Sequence, residues 1–574
     1  MDLTTRDFKQ FVSSLPKSLL LLTFLLPVAG FALGYLVEFS IVPENTRLFL
    51  SALVGAQAGV LAIVFSVTVI GIQLIATRYS PRMISLFTDS PIFIYTFALF
   101  VFSIAVDLAL LFSVPPSPLR LHTAGVVAAS GLGVTAAVAL FVFVRTAIRQ
   151  STPDGAIDAF ISGMTTEKYL SQVKQSVEND SETAHPMHPL YNLTMNALSG
   201  GERVTAEKAL QEYGELLERI FQDLNEKDVF SKYDRQAVEE LFYPVLREYL
   251  HDIALQAERN NQHQMVDMAI EYQYEMGHNG IDLSTDVVCW QAQYGLSEVI
   301  RDAPVEAGSL TASSDAWQQF GQLLVDAATR SNYSTVWAIL TFIPDNVNRQ
   351  LRKISDVGWY ARSMMGLYND LEDAQEALLE HYGHDVAQVD MEWQYEHVPD
   401  DAPNREEVAA VFKWRKTLLD TTQAFLRYAE REGQYPITEG NFKNSWRDIC
   451  IEASESPAED YAVTLCQALI EIAVIDRYLL DENGIPWSSS IGRVKHKGNP
   501  EVVDKAFEQI LEYDYVEEQP GPVFAGEMEE RRKKYYQNQL NLQDLPPLNT
   551  IPDFEQIIRE IQQEADERWE TLKE

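Results

Sequence analysis

Residues 48–77 read LFLSALVGAQAGVLAIVFSVTVIGIQLIAT, thirty consecutive positions without a charged side chain. A helix rises 1.5 Å per residue, so about 20 such positions cross a hydrocarbon core about 30 Å thick. Three further stretches reach that length. Residues 18–37 and 123–144 carry no charge, and residues 91–114, between Pro91 and Pro115, carry one, Asp107. The pattern predicts an all-α chain: a cytoplasmic tail over 1–17, then a four-helix transmembrane bundle within 18–149. A cleaved leader, with Ala29 to Ala32 as the cleavage zone, is the competing reading of the first stretch, which runs longer than such leaders need.

The flanking charges predict an orientation. Arg6, Lys9, Lys17, Arg78, Arg82, Arg145 and Arg149 lie on one side of the four runs, and only Arg47 and Arg120 on the other. Short loops rich in Lys and Arg stay on the cytoplasmic side. Both termini are therefore expected inside, in a multi-pass protein of the cell membrane. The Ser80-Pro81 and Ser90-Pro91 pairs read as helix starts, with Pro at the first helical position, and Tyr79 and Tyr95 are placed at the inner interface.

The string VFSVTVIGIQLIATRYSPRMISLF, residues 64–87, resembles the central signature of the membrane proteins grouped as domain of unknown function 2254. In that family a helix ending in Gln-Leu-Ala leads through a Ser-Pro-Arg turn into the next span. The matching positions are Gln73, Leu74, Ser80, Pro81 and Arg82. NALSGGERVTAEKALQEYGELL, residues 196–217, is similar to the family's segment after the membrane part. It keeps Ala197-Leu198-Ser199 and Thr205-Ala206 and lacks the family's prolines and Asn-Asp pair. The resemblance, over about residues 50–220, implies topology and no mechanism.

Within the apolar runs, polar and small residues are candidates for function. A 3.6-residue step from Gly55 meets Gly59, Ala62, Ser66, Val69 and Gln73, a small and polar stripe on one helix face. Such a stripe is either a close-packing face, as Gly-x-x-x-Gly spacing suggests, or the lining of a hydrated path in an oligomer. Gly30-x-x-x-Gly34 and a Gly- and Ala-rich stretch at 124–139 extend the packing pattern. Asp107 is an intramembrane carboxylate. Such groups face a bundle interior or a cavity, and serve either structure or cation and proton passage.

The remaining chain differs in kind. The protein carries 45 Lys and Arg against 83 Asp and Glu, yet residues 1–150 hold nine against six. All the excess negative charge falls after residue 150. It suits a salt-rich cytoplasm, as in halophiles, and disfavours nucleic-acid binding, which needs a basic face. Apolar stripes at helical spacing recur over 205–224, 236–257, 263–277, 315–329, 356–382, 406–432, 457–480 and 553–570. They predict helical cytoplasmic regions at 150–396 and 406–515, a linker at 516–552 and a docking or oligomerising C-terminal helix at 553–574. Successive helical pairs suggest an α-solenoid-like stack without a fixed repeat, with an irregular bundle as the alternative. The run Arg531 to Lys534 is a solvated patch or a contact to anionic lipid.

No phosphate loop, HExxH or nucleophile elbow occurs. No enzyme activity, cofactor or metal is expected. His185 and His188 are spaced by prolines, His381 and His384 read as surface residues, and Cys289, Cys450 and Cys466 as reduced, inert thiols. The expected function is a homo-oligomeric membrane assembly that passes or gates ions, with the acidic region as regulatory collar. The rival is a non-conducting anchor or sensor that recruits a protein partner. Expected partners are the lipid bilayer, further copies of the chain and a cytoplasmic protein, with no nucleic acid.

Overall fold

Each apolar run forms a helix. In the structure, a computed structural model, residues 17–37, 42–78, 91–115, 120–150, 152–178, 185–230, 232, 235–309, 311–353, 357–388, 404–433, 435, 439–480, 484–512 and 551–573 are described. Helices α1 (Lys17–Leu36), α2 (Pro43–Arg78), α3 (Pro91–Ser113) and α4 (Arg120–Gln150) are the apolar set. Pro opens both α2 and α3, where a missing N–H leaves no helical bond unmade. Amphipathic helices α5 (Pro153–Gly163), α6 (Thr166–Glu178), α7 (His188–Ser199) and α8 (Arg203–Glu226) follow. The chain divides into two compact units, Met1–Ile220 and Phe221–Glu574, the division falling within α8.

Of the four expected membrane-spanning helices, three meet the length and hydropathy of a crossing among the described residues. Pro43–Ser66, Ile92–Ser113 and Arg120–Arg149 are long and apolar enough to cross a membrane. α1 is 20 residues, about 30 Å long, with Pro27 inside it, and Leu21–Leu36 is its shorter apolar stretch. α1 lies along α4, α4 also packs on α3, and α3 on α2. Thr23 of α1 hydrogen bonds Tyr95 of α3, so this ring, expected at an interface, is tied to a neighbouring helix. The turn Ser80, Pro81 and Arg82, the tail 1–16 and the linker 516–550 lie outside the described residues.

After the apolar set, Thr152 caps α5 by accepting from Gly155 N at 3.2 Å. Lys208 of α8 reaches Asp158 of α5 at 3.1 Å. The expected stripe of α8 (Ala206, Leu210, Tyr213, Leu216, Leu217 and Ile220) is buried throughout.

Among its described residues the second unit consists of helices and the turns that join them. It contains α9 (Arg235–Phe242), α10 (Leu250–Arg259), α11 (His263–Asp282), α12 (Asp286–Asp302), α13 (Thr311–Thr329) and α14 (Tyr333–Lys353). Then come α15 (Val357–Val386), α16 (Arg405–Glu432), α17 (Glu439–Glu455), α18 (Glu459–Leu480), α19 (Ser488–Lys497), α20 (Pro500–Glu512) and α21 (Phe554–Lys573). From α10 to α20, helices pack on the next but one: α11 on α13, α12 on α14, α13 on α15, α14 on α16, and onward to α18 on α20. Buried polar groups bridge the layers. Trp317 Nε1 donates to Gln350 Oε1 at 3.0 Å, Trp414 Nε1 to the Leu371 carbonyl at 2.8 Å, and Gln375 Nε2 to the Ile449 carbonyl at 3.0 Å. Paired this way, buried polar groups fix register instead of penalising the fold. The C-terminal helix α21 docks inside this unit on α18, α19 and α20. Of the face Phe554, Ile557, Ile558 and Ile561 it buries the last two, along with Ala565, and leaves Phe554 and Ile557 half-buried.

Candidate functional site

Two features of the apolar helices compete for attention, one facing inward and one outward. The inward feature centres on Asp107, which is fully buried (0% exposed), as is Ser103 one turn earlier on the same face of α3. Gln57 of α2, 6% exposed, lies beside the Asp107 carboxyl. The approach is loose: both Asp107 oxygens, both ends of the Gln57 amide and the Ser103 hydroxyl lack a hydrogen bond. On the far side, Gly133 of α4 makes room for this amide. A Cβ there would come within 2.8 Å of Gln57 Nε2. Three helices thus converge on one carboxyl, one amide and one hydroxyl. Buried polar groups are normally paired, so three unpaired together are exceptional. Nearer the start of α3, an apolar cleft opens among Phe93, Phe97, Phe100, Leu140 and Phe143, with the unbonded Thr96 hydroxyl on its wall.

The outward feature is the α2 stripe. Gly55, Gly59, Ala62, Ser66 and Gln73 are all exposed. A Cβ built on Gly55 or Gly59 meets nothing within 4 Å. Ser66 Oγ turns back to the Ala62 carbonyl at 2.9 Å. Among the described residues, nothing packs against either glycine of this face. Close packing is found instead at the second glycine pair noted in the sequence. A Cβ on Gly34 would stand 2.7 Å from Ala124 Cα, one on Gly30 2.9 Å from the Val127 carbonyl oxygen, and one on Gly131 2.8 Å from the Leu26 carbonyl oxygen. The α1–α4 contact is therefore backbone against backbone.

Sequence reasoning singled out Asp107 but missed Gln57, Ser103 and Gly133. Gln57 is two residues from Gly55, about 200° around the helix, so it lies opposite the stripe. Its signal was available: it is one of two glutamines in a thirty-residue charge-free run.

Outside the apolar helices, other singled-out residues have structural surroundings. His185 is buried with Nδ1 against the Met187 amide at 3.3 Å and Nε2 3.4 Å from the Tyr169 hydroxyl. His381 and His384 are exposed. Among the described residues no group of three or more His, Cys, Asp or Glu could hold a metal ion. The three cysteines are free and buried, and burial holds the Cys450 thiol well above its ordinary range, with Cys466 beside it. Cys289 is pushed up to about 11 by burial.

No curated protein and no solved structure matches the chain. A family model does, over residues 12–194. The match begins ahead of α1, earlier than the expected 50, and it stops before the segment 196–217 compared with the family above. It takes in all four apolar helices and the cluster around Asp107. This part of the chain matches the family described as predicted membrane protein, domain of unknown function 2254 (DUF2254), and the protein is a membrane protein with several apolar helices.

Proposed function

We propose that the protein is a homo-oligomeric assembly of the cell membrane that passes or gates small ions, copies meeting through the outward face of α2. The observation that carries this reading is the uncovered stripe. Gly55 and Gly59 have nothing against them within 4 Å, and Ser66 and Gln73 continue the same exposed face. Against lipid, that face wastes its close-packing geometry; against another copy, or beside a water-filled axis, its small residues and its Ser66 and Gln73 side chains are put to use. The basic flanks support a topology with both termini in the cytoplasm, α1 completing a fourth crossing. The acidic second unit then forms a cytoplasmic collar. Its charge suits a salt-rich cell and leaves nucleic acid no basic face.

The oligomeric state is the first test. In mild detergent, native mass measurement should give an oligomer, and Gly55→Leu with Gly59→Leu should dissociate it about tenfold more readily, for a contact worth about 1–2 kcal/mol. A strict monomer would sink the proposal, because one bundle with so little polar lining encloses no path. Ion flux into liposomes follows. Gln73→Leu should reduce it several-fold, and unchanged flux would remove Gln73 from the path.

A second reading has its own support. The next-but-one packing from α10 to α20 is the order of an α-solenoid, a form that presents extended binding surfaces. On that reading the apolar helices anchor, without conducting, a platform that recruits a cytoplasmic protein. No enzymatic step belongs to either reading.

A further inference from the structure

The buried cluster inside the bundle is independent of the α2 face that the oligomer reading uses. Asp107, Gln57 and Ser103 converge from α2 and α3, and Gly133 of α4 closes the space behind the amide. An ionised carboxylate there would be a bare charge in a hydrocarbon-like interior. No Lys, Arg or His occurs in 18–37, 48–77, 91–114 or 123–144 to neutralise it, and the other ionisable side chains of those runs are Tyr35 and Tyr95. One bound proton changes the inventory. The acid O–H can then donate to Gln57 Oε1 or Ser103 Oγ, while Gln57 Nε2 donates to the remaining oxygen. A divalent cation fits poorly. Two carboxylate oxygens, one amide oxygen and one hydroxyl fall short of the roughly six to eight ligands that calcium or magnesium requires.

We propose that Asp107, Gln57 and Ser103 form a proton-binding site in the interior of the bundle, loaded while α2, α3 and α4 are packed together. Release sends the proton to water once α2 shifts enough to admit it, and leaves the carboxylate facing that water. Proton occupancy and the seating of α2 are thereby coupled.

Dicyclohexylcarbodiimide, which adds to a protonated carboxyl in apolar surroundings, is the probe. Purified full-length protein in mild detergent is treated from about pH 5 to pH 9, and modified peptides are read by mass spectrometry. Asp107 should be labelled, with a yield falling about tenfold per pH unit above the midpoint of its titration. Ser103→Ala, a small change in a helix that tolerates it, should move that midpoint, and sodium or potassium at fixed pH should leave the yield unchanged. Three results would each overturn the proposal: no label on Asp107 at any pH, a yield independent of pH, or protection by sodium, which would make this a metal-cation site. The readout needs neither an oligomer nor ion flux. A monomeric protein would therefore remove the oligomer reading and leave this one standing, and an unlabelled oligomer would do the reverse.

Discussion

Gly34 and Gly131 stand where two helix backbones touch, and nothing flexible lies between them. Ala124 Cα and the Leu26 carbonyl cannot rotate away from an added side chain. Gly34→Leu should separate α1 from α4 and lower stability by about 1–3 kcal/mol, read as an earlier unfolding transition in detergent. The same change at Gly55 should leave the monomer's transition in place. A transition that moved equally for both would show that close approach at Gly34 is not what seats α1. Lys495 makes a different kind of contact. It is buried among Asp504 of α20, Asp566 of α21 at 2.7 Å and the Trp569 ring. Both carboxylates are about half exposed, which weakens the pairs, so Lys495→Ala should loosen α21 by about 1–2 kcal/mol. Faster amide exchange over 554–573 is the expected sign.

Among elements, apolar runs and helical stripes were legible because length and period are local properties. Thirty uncharged positions specify a helix wherever it ends up, and the stripe of α8 is buried as its spacing required. What the period leaves open is which face turns inward. On α2, Gly55 and Gln57 lie on opposite faces, and only the packing of α3 and α4 decides that Gln57 is enclosed. Asp107 was conspicuous as a lone charge, whereas Ser103 became meaningful only once three helices met.

For the whole molecule, the groups of the second unit that are raised into or beyond the neutral range act in one direction. Burial first, and then the neighbouring Glu376, Glu372, Asp373 and Glu455, push the Glu452 carboxyl up to about 8, and burial with Asp448 and Asp373 pushes Glu372 up to about 7. An acid raised in the fold loses stability as pH rises from about 4.5, its unfolded value, through its folded value. For His251, burial opposes the charge, but Asp252 and Asp302 outweigh it and raise the group to about 9. Its Nδ1 is 3.2 Å from Asp252, and its Nε2 faces Asp302 at 3.4 Å as an ion pair outside hydrogen-bond geometry. That contribution is present below about 6.5 and is lost as pH rises through 9. Both kinds of group predict that thermal stability of this unit falls between about pH 6.5 and pH 9. Glu452→Gln should flatten the fall, and a stability that rose over this window would contradict the assignment.

The docked position of α21 makes the end of the chain a detachable part. It seats Ile558, Ile561 and Ala565 against its own unit, approaching so closely that a Cβ on Gly492 would stand 2.7 Å from the Ala565 carbonyl oxygen. A chain ending at Glu512 would keep an empty receptor for its own last helix. A synthetic peptide of residues 551–573 should fill it from solution, and fluorescence of Trp569 would report the capture.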